Sequence, residues 1–167
     1  MARITFNEQS DFLKRLQELE KHFDTEETMK HAVYVGAGVV ADEIRKNLEN
    51  LPEEPFRHLD TFCGDYFREV PTGQKKDLVE SFGLTPIERG KDGLLHTHAG
   101  FDGYGSYPTK DYPKGLPNRL VARAIESGSS VRQKTPFIRP AVKATREKAV
   151  KAMEEVIDEA CKKIIEK

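Results

Sequence analysis

After Pro140, the residues Val142, Ala149, Met153, Val156, Ile157, Ala160 and Ile164 form an apolar stripe at helical spacing. Glu147–Lys151, Asp158–Lys162 and Glu159–Lys163 stand at the favourable i,i+4 offset, each worth a few tenths of a kcal/mol. A long C-terminal helix is therefore the strongest constraint on the fold. The stretch before it, Thr135-Pro136-Phe137-Ile138-Arg139-Pro140-Ala141, sets where that helix starts. Pro140 lacks an N–H and has φ fixed near −65°, which predicts the first helical position for it. Pro136 stiffens the chain one turn earlier. Phe137 and Ile138 are then placed to plug a core or a neighbour's groove. Arg139 offers a planar donor fork, with Glu126 as its candidate partner across the turn.

A second helix of about six turns is predicted from Met29, where Val33, Ala37, Val40, Ile44, Leu48 and Leu51 recur every three or four residues. Thr25 is its N-cap, Glu26 and Glu27 suit the helix dipole, and Pro52 stops it. A further amphipathic pattern starts at Ser10, with Phe12, Leu13, Leu16, Leu19 and Phe23 on one face. Residues 52–77 read as a loop with short irregular pieces. Leu84–Arg89 and Leu94–Phe101 read as strands joined by Gly90-Lys91-Asp92-Gly93, which is good turn chemistry. Residues 102–117 are too rich in glycine and proline for a helix or central strand and read as an exposed loop carrying Tyr104, Tyr107 and Tyr112. Asn118 to Gly128 suggests a short helix capped by Asn118, carrying Leu120, Val121, Ala124 and Ile125, and closed by Gly128 at C′; a strand is the alternative. The expected fold is α+β in one domain over 1–167: a small antiparallel sheet against two N-terminal helices and a long C-terminal helix.

Val33-Tyr34-Val35-Gly36-Ala37-Gly38-Val39-Val40-Ala41 contains the dinucleotide-binding pattern G-x-G-x-x-G/A. That pattern carries weight only when a strand precedes it and a helix follows, because the glycines must let a pyrophosphate approach a helix N-terminus. Here a helical pattern runs through it in register. The expected role of the glycines is close packing of a neighbouring element, although an interior glycine costs roughly 1 kcal/mol relative to alanine.

Other chemistry is sparse. His96 and His98 would share one face of a strand, but a zinc site needs three or four ligands, and only Cys63, Asp60 and Asp65 offer themselves at a distance. Cys63 with a histidine could form a thiol nucleophile, but no local signature supports it. Ser127-Gly128-Ser129-Ser130 lacks the G-x-S-x-G elbow. No catalytic, cofactor or metal residue is assigned. The net charge of −1 argues against a protein devoted to duplex DNA, whose phosphates demand a basic excess, and leaves only a local patch for direct DNA contact. Lys110, Lys114 and Arg119 interleave with the three loop tyrosines, where base stacking is one option, a plain loop another, and a protein–protein contact the preferred one. Cys63 and Cys161 give no disulfide framework and fit a reducing compartment. No apolar leader or membrane-length run is visible, so a cytoplasmic product with no membrane association is expected.

Two stretches resemble the tail-component proteins of long-tailed double-stranded DNA phages and prophages. Pro71-Thr72-Gly73 with Asp77-Leu78-Val79-Glu80-Ser81-Phe82 is similar to the Thr-Gly, Leu, Ser-plus-apolar stretch that opens the family's sheet. Glu126-Ser127-Gly128-Ser129 followed by Pro136-Phe137-Ile138-Arg139-Pro140-Ala141 is similar to its Glu-aromatic-Gly-Thr/Ser and Pro-Phe-apolar-Arg-Pro-Ala signature. The order of elements agrees along the whole chain. The chain departs from the pattern at Ser127, where the family has an aromatic, and at Gln74-Lys75-Lys76, which lengthens the first stretch. The resemblance implies a non-enzymatic virion assembly protein, a tail-completion or head–tail joining component. It would form a homo-oligomeric ring and meet tail-tube, terminator or connector proteins, passing through the host cytoplasm during assembly. Glu126, Gly128, Pro136, Phe137, Arg139 and Pro140, with Tyr104, Tyr107 and Tyr112, are its expected interface or structural residues. The alternatives are a small nucleotide-binding protein or enzyme using Gly36-Ala37-Gly38, and a host-side interaction or toxin-like module.

Overall fold

The computed structural model describes residues 25–55 and 66–165. The amphipathic pattern from Ser10 to Phe23 and the residues Asp60, Cys63 and Asp65 lie outside them.

Helix α1 runs Thr25–Glu49. It begins where the acidic pair Glu26 and Glu27 favours a helix N-terminus, and Lys30 bonds both carboxylates. Its inward face is made by Ala32, Gly36, Ala41, Ile44 and Leu48, all buried. The chain then forms two short strands, β1 (Glu53–Glu54) and β2 (Val70–Pro71), paired in parallel. Helix α2 (Thr72–Ser81) follows at once. This corrects the reading of 52–77 as loop. Pro71 sits at the N-cap and Thr72 and Gly73 occupy the first turn, so residues that read as breakers are opening a helix, where proline loses nothing. The Thr-Gly stretch thus opens this helix, and the strand starts after it at Phe82. Lys75 ties the helix back, donating to the Leu51 carbonyl and the Glu53 carboxylate. That ammonium, with the Thr72 hydroxyl, holds the Glu53 carboxyl below the ordinary value of 4.5.

The predicted hairpin is present in two halves. Strand β3 (Phe82–Leu84) pairs antiparallel with β6 (Ala99–Phe101), and β4 (Glu88–Arg89) with β5 (Leu95–His96). Residues 85–87 face only 97–98 between the halves, so the first arm carries one residue more. Pro86 in that arm has no N–H to give, and the extra residue lets the ladder skip it. Thr85 anchors the join: its N–H donates to the His98 carbonyl at 2.9 Å and its hydroxyl accepts the His98 N–H at 2.9 Å. The tip is closed as its sequence demands, with Gly93 at φ 80° and Asp92 accepting the Leu94 N–H.

Helix α3 (Asn118–Ser127) buries Val121, Ala122 and Ile125. Asn118 is not its cap. Pro117 holds that position, and the buried Asn118 amide donates to the Asp102 carbonyl at 2.9 Å. Gly128 ends the helix as expected, at φ 77° with its N–H on the Ala124 carbonyl. Helix α4 (Ile138–Ile165) closes the fold. It starts at Ile138, so Pro140 is the third helical residue and not the first; the first-turn N–H groups have no intrahelical acceptor, so a proline is equally tolerated there. Lys151 pairs forward with Glu155 at 3.9 Å.

The architecture is α+β in a single body: four helices and small two-stranded sheets among the described residues, with α1 packed along α4. Leu48, Leu78, Ile125, Phe137 and Ala141 sit at its centre. An aromatic chain ties hairpin to helix, Phe82 to Phe101 at 5.2 Å and Phe101 to Phe137 at 6.1 Å between ring centroids. Among the described residues, no helix is long and apolar enough to cross a membrane.

Candidate functional site

The junction between α3 and α4 gathers six of the residues singled out in the sequence. Glu126, near the end of α3, is buried with its side chain 8% exposed. Its Oε2 accepts the N–H of Phe137 at 2.7 Å and of Ile138 at 2.8 Å, and its Oε1 accepts that of Arg139 at 3.0 Å. One carboxylate thus satisfies three donors that helix geometry would otherwise leave bare, at the end of the dipole where negative charge is favoured. The Arg139 guanidinium lies 3.7 Å from Oε1 but is 69% exposed, so the ion pair adds less than the backbone bonds. Gly128 makes the turn possible: a Cβ there would meet Lys134 at 3.1–3.4 Å, at a backbone angle that disfavours side chains. Thr135 returns its N–H to the Ile125 carbonyl, and Asn47 of α1 donates to the Phe137 carbonyl at 3.1 Å. Phe137 is 1% exposed and plugs this chain's own core. Pro136, Arg139 and Pro140 face outward, lining a shallow depression with Lys134 and Lys143.

The three tyrosines stand apart from this junction, on the loop between β6 and α3. Tyr104 and Pro117 form a bridge at the loop's base, the Gly105 N–H donates to the Leu116 carbonyl, and Gly115 packs against Gly105 so closely that a Cβ could not fit. The loop is therefore an Ω-shaped excursion with a closed neck. The Asp77 carboxylate of α2 accepts the backbone N–H and the hydroxyl of Ser106, pinning it from the side. Tyr107 lies over Gly73, where any Cβ would strike its ring. Tyr107 and Tyr112 line a cavity of about 650 Å³ with Leu116, Leu120, Val121 and Arg132. The Arg132 guanidinium is stacked on Phe67 at 4.5 Å and donates to Gln74 Oε1 at 2.6 Å. All three tyrosines remain substantially exposed, Tyr104 at 57%. Asp77, Asn118 and Arg132 were not foreseen as organisers of this region, because a polar residue that reaches across the fold leaves no periodic signal.

The Gly36-Ala37-Gly38 segment lies inside α1. A Cβ at Gly36 would stand 2.5 Å from Met153 Cγ and 3.2 Å from the Ala149 carbonyl, so this glycine lets α4 approach, as the helical register suggested. The strand-to-helix turn of the dinucleotide motif is not formed there. His96 and His98 meet edge to face at 5.1 Å, and among the described residues no three His, Cys, Asp or Glu side chains gather as a metal site. Cys161 is exposed.

No family model matches the chain, and no curated protein or solved structure matches it.

Proposed function

We propose that this chain is a structural component of a phage or prophage virion, acting in tail completion or head–tail joining through self-association and contact with neighbouring tail or connector proteins. The observation that supports it best is the Glu126 cap. The two motif halves that resemble the tail-component family, Glu126 to Ser129 and Pro136 to Ala141, are separated by residues 130–135. They meet through three hydrogen bonds to one carboxylate. A signature whose parts build one rigid junction is a physical unit, and it is harder to produce by coincidence than a lone proline-rich turn. The exposed tyrosines on a loop closed at its neck suit a contact surface, since tyrosine supplies contact area at small entropic cost.

The test is deletion of the gene from its phage or induced prophage, followed by electron microscopy of the particles. Capsids and tails that fail to join, or tails with an unfinished head-proximal end, are expected. Normal joined particles from the deletion, with the purified chain monomeric at every concentration, would overturn the proposal.

A further inference from the structure

Between Tyr112 and Arg146 the chain carries eight basic residues and a single acidic one, Glu126, a net of +7 in a protein whose total is −1. Glu126 is buried and engaged by backbone N–H groups. Seven of the eight cations are exposed: Lys114 stands on the loop before α3, and the other six are Arg119, Arg123, Lys134, Arg139, Lys143 and Arg146. Among the described residues only Arg139 of these six has an ion pair, and that one is to Glu126. Elsewhere Lys30, Arg45, Lys75 and Arg89 are each held by a carboxylate. The overall charge balance hides this segregation.

Helical spacing lines up five of the six. Arg119 and Arg123 precede Glu126 by seven and three residues, so all three lie on one stripe of α3. Arg139, Lys143 and Arg146 have the same i, i+4, i+7 spacing on α4. Because Glu126 docks on the first residues of α4, the two stripes meet at the cap. Lys134 stands at the join, lining one depression with Arg139 and Lys143. At 1.5 Å per residue each stripe is about 10 Å long, so the ridge spans several phosphates of a nucleic-acid strand. No aromatic side chain occupies a stripe position, which removes the stacking platforms typical of single-strand binders. Glu147 flanks the far end of the ridge and limits its extent.

We infer that this ridge binds the phosphate backbone of duplex nucleic acid without reading its sequence. The inference goes beyond the assembly role and holds or fails independently of it. The experiment is fluorescence anisotropy of the purified full chain with a labelled ~20-bp duplex between 50 and 200 mM salt. Counterion release from six cations, not all in contact, predicts a log–log slope between about −3 and −5. The pair Arg123→Gln and Lys143→Gln should reduce the slope by about 2 with the melting temperature unchanged. Lys91→Gln with Lys162→Gln, off the ridge, should leave it as it was. Absence of duplex binding would overturn the inference. So would equal losses in both double variants, which mean diffuse attraction, or tighter binding to polyglutamate than to duplex, which means an acidic protein partner.

Discussion

At the start of α4, three backbone N–H groups converge on Glu126, and its two oxygens divide them two to one. Every donor needs an acceptor, so the site has no use for an amide. In Glu126→Gln one terminal atom becomes an NH₂ that faces a donor, whereas Glu126→Ala takes the acceptor from all three N–H groups, of which that of Phe137 is buried. Hydrogen bonds to charged groups are worth about 1.5–3 kcal/mol each when one partner is removed, less whatever water regains. Glu126→Ala should therefore destabilise the fold by about 3 kcal/mol and Glu126→Gln by about 2, measured by urea unfolding. Equal stability of Glu126→Gln and the parent would show that the carboxylate is not the cap. Arg139→Gln removes only an exposed 3.7 Å ion pair and should cost under about 1 kcal/mol. The sequence made this pair visible by motif, but it pointed to the guanidinium. The backbone N–H groups that matter more are carried by every residue and cannot be read from side-chain identity.

Among the elements, α1 and α4 were the most legible, because each repeats an apolar stripe over many turns and Pro52 and Pro140 mark their ends. Helix α2 was not. It has one fully buried side chain, Leu78, and its first turn is written in proline, threonine and glycine, the vocabulary of loops. The hairpin was legible from its turn and not in its register, because the extra residue beside Pro86 is set by a missing N–H rather than by a pattern. The two glycines of α1 separate local propensity from packing. Gly38 has nothing within 4 Å of a would-be Cβ, so Gly38→Ala should stabilise by up to about 1 kcal/mol. Gly36→Ala gains the same propensity but drives a methyl into Met153 and the Ala149 carbonyl, and overpacking costs about 1–3 kcal/mol. Its net effect should be destabilising, and Met153→Ala in the same chain should reduce the penalty. A stabilising Gly36→Ala would mean that the two helices are less tightly apposed than the structure has them.

For the molecule as a whole, residues that hold the fold and residues free to meet a partner occupy different places. Phe137, Leu48, Leu78 and Ile125 are enclosed by α1, α2, α3, α4 and the hairpin, and Tyr104 stands exposed on the closed loop on the outside. The proposed assembly role then predicts a separation of phenotypes. Phe137→Ala removes a fully buried ring, which costs about 3–5 kcal/mol. For a domain of this size that lowers the melting temperature by about 6–20 °C, and assembly should fail only as the chain unfolds. Tyr104→Ala removes mainly exposed area and should leave the melting temperature within about 2 °C, yet reduce joined particles when the variant complements a deletion. Pairing calorimetry with particle counts on the same variants distinguishes the two routes. If the tyrosine variant complements fully, the loop is a connector, and any contact surface must lie elsewhere. If it fails while melting normally, the loop is the part of this molecule that touches its neighbours.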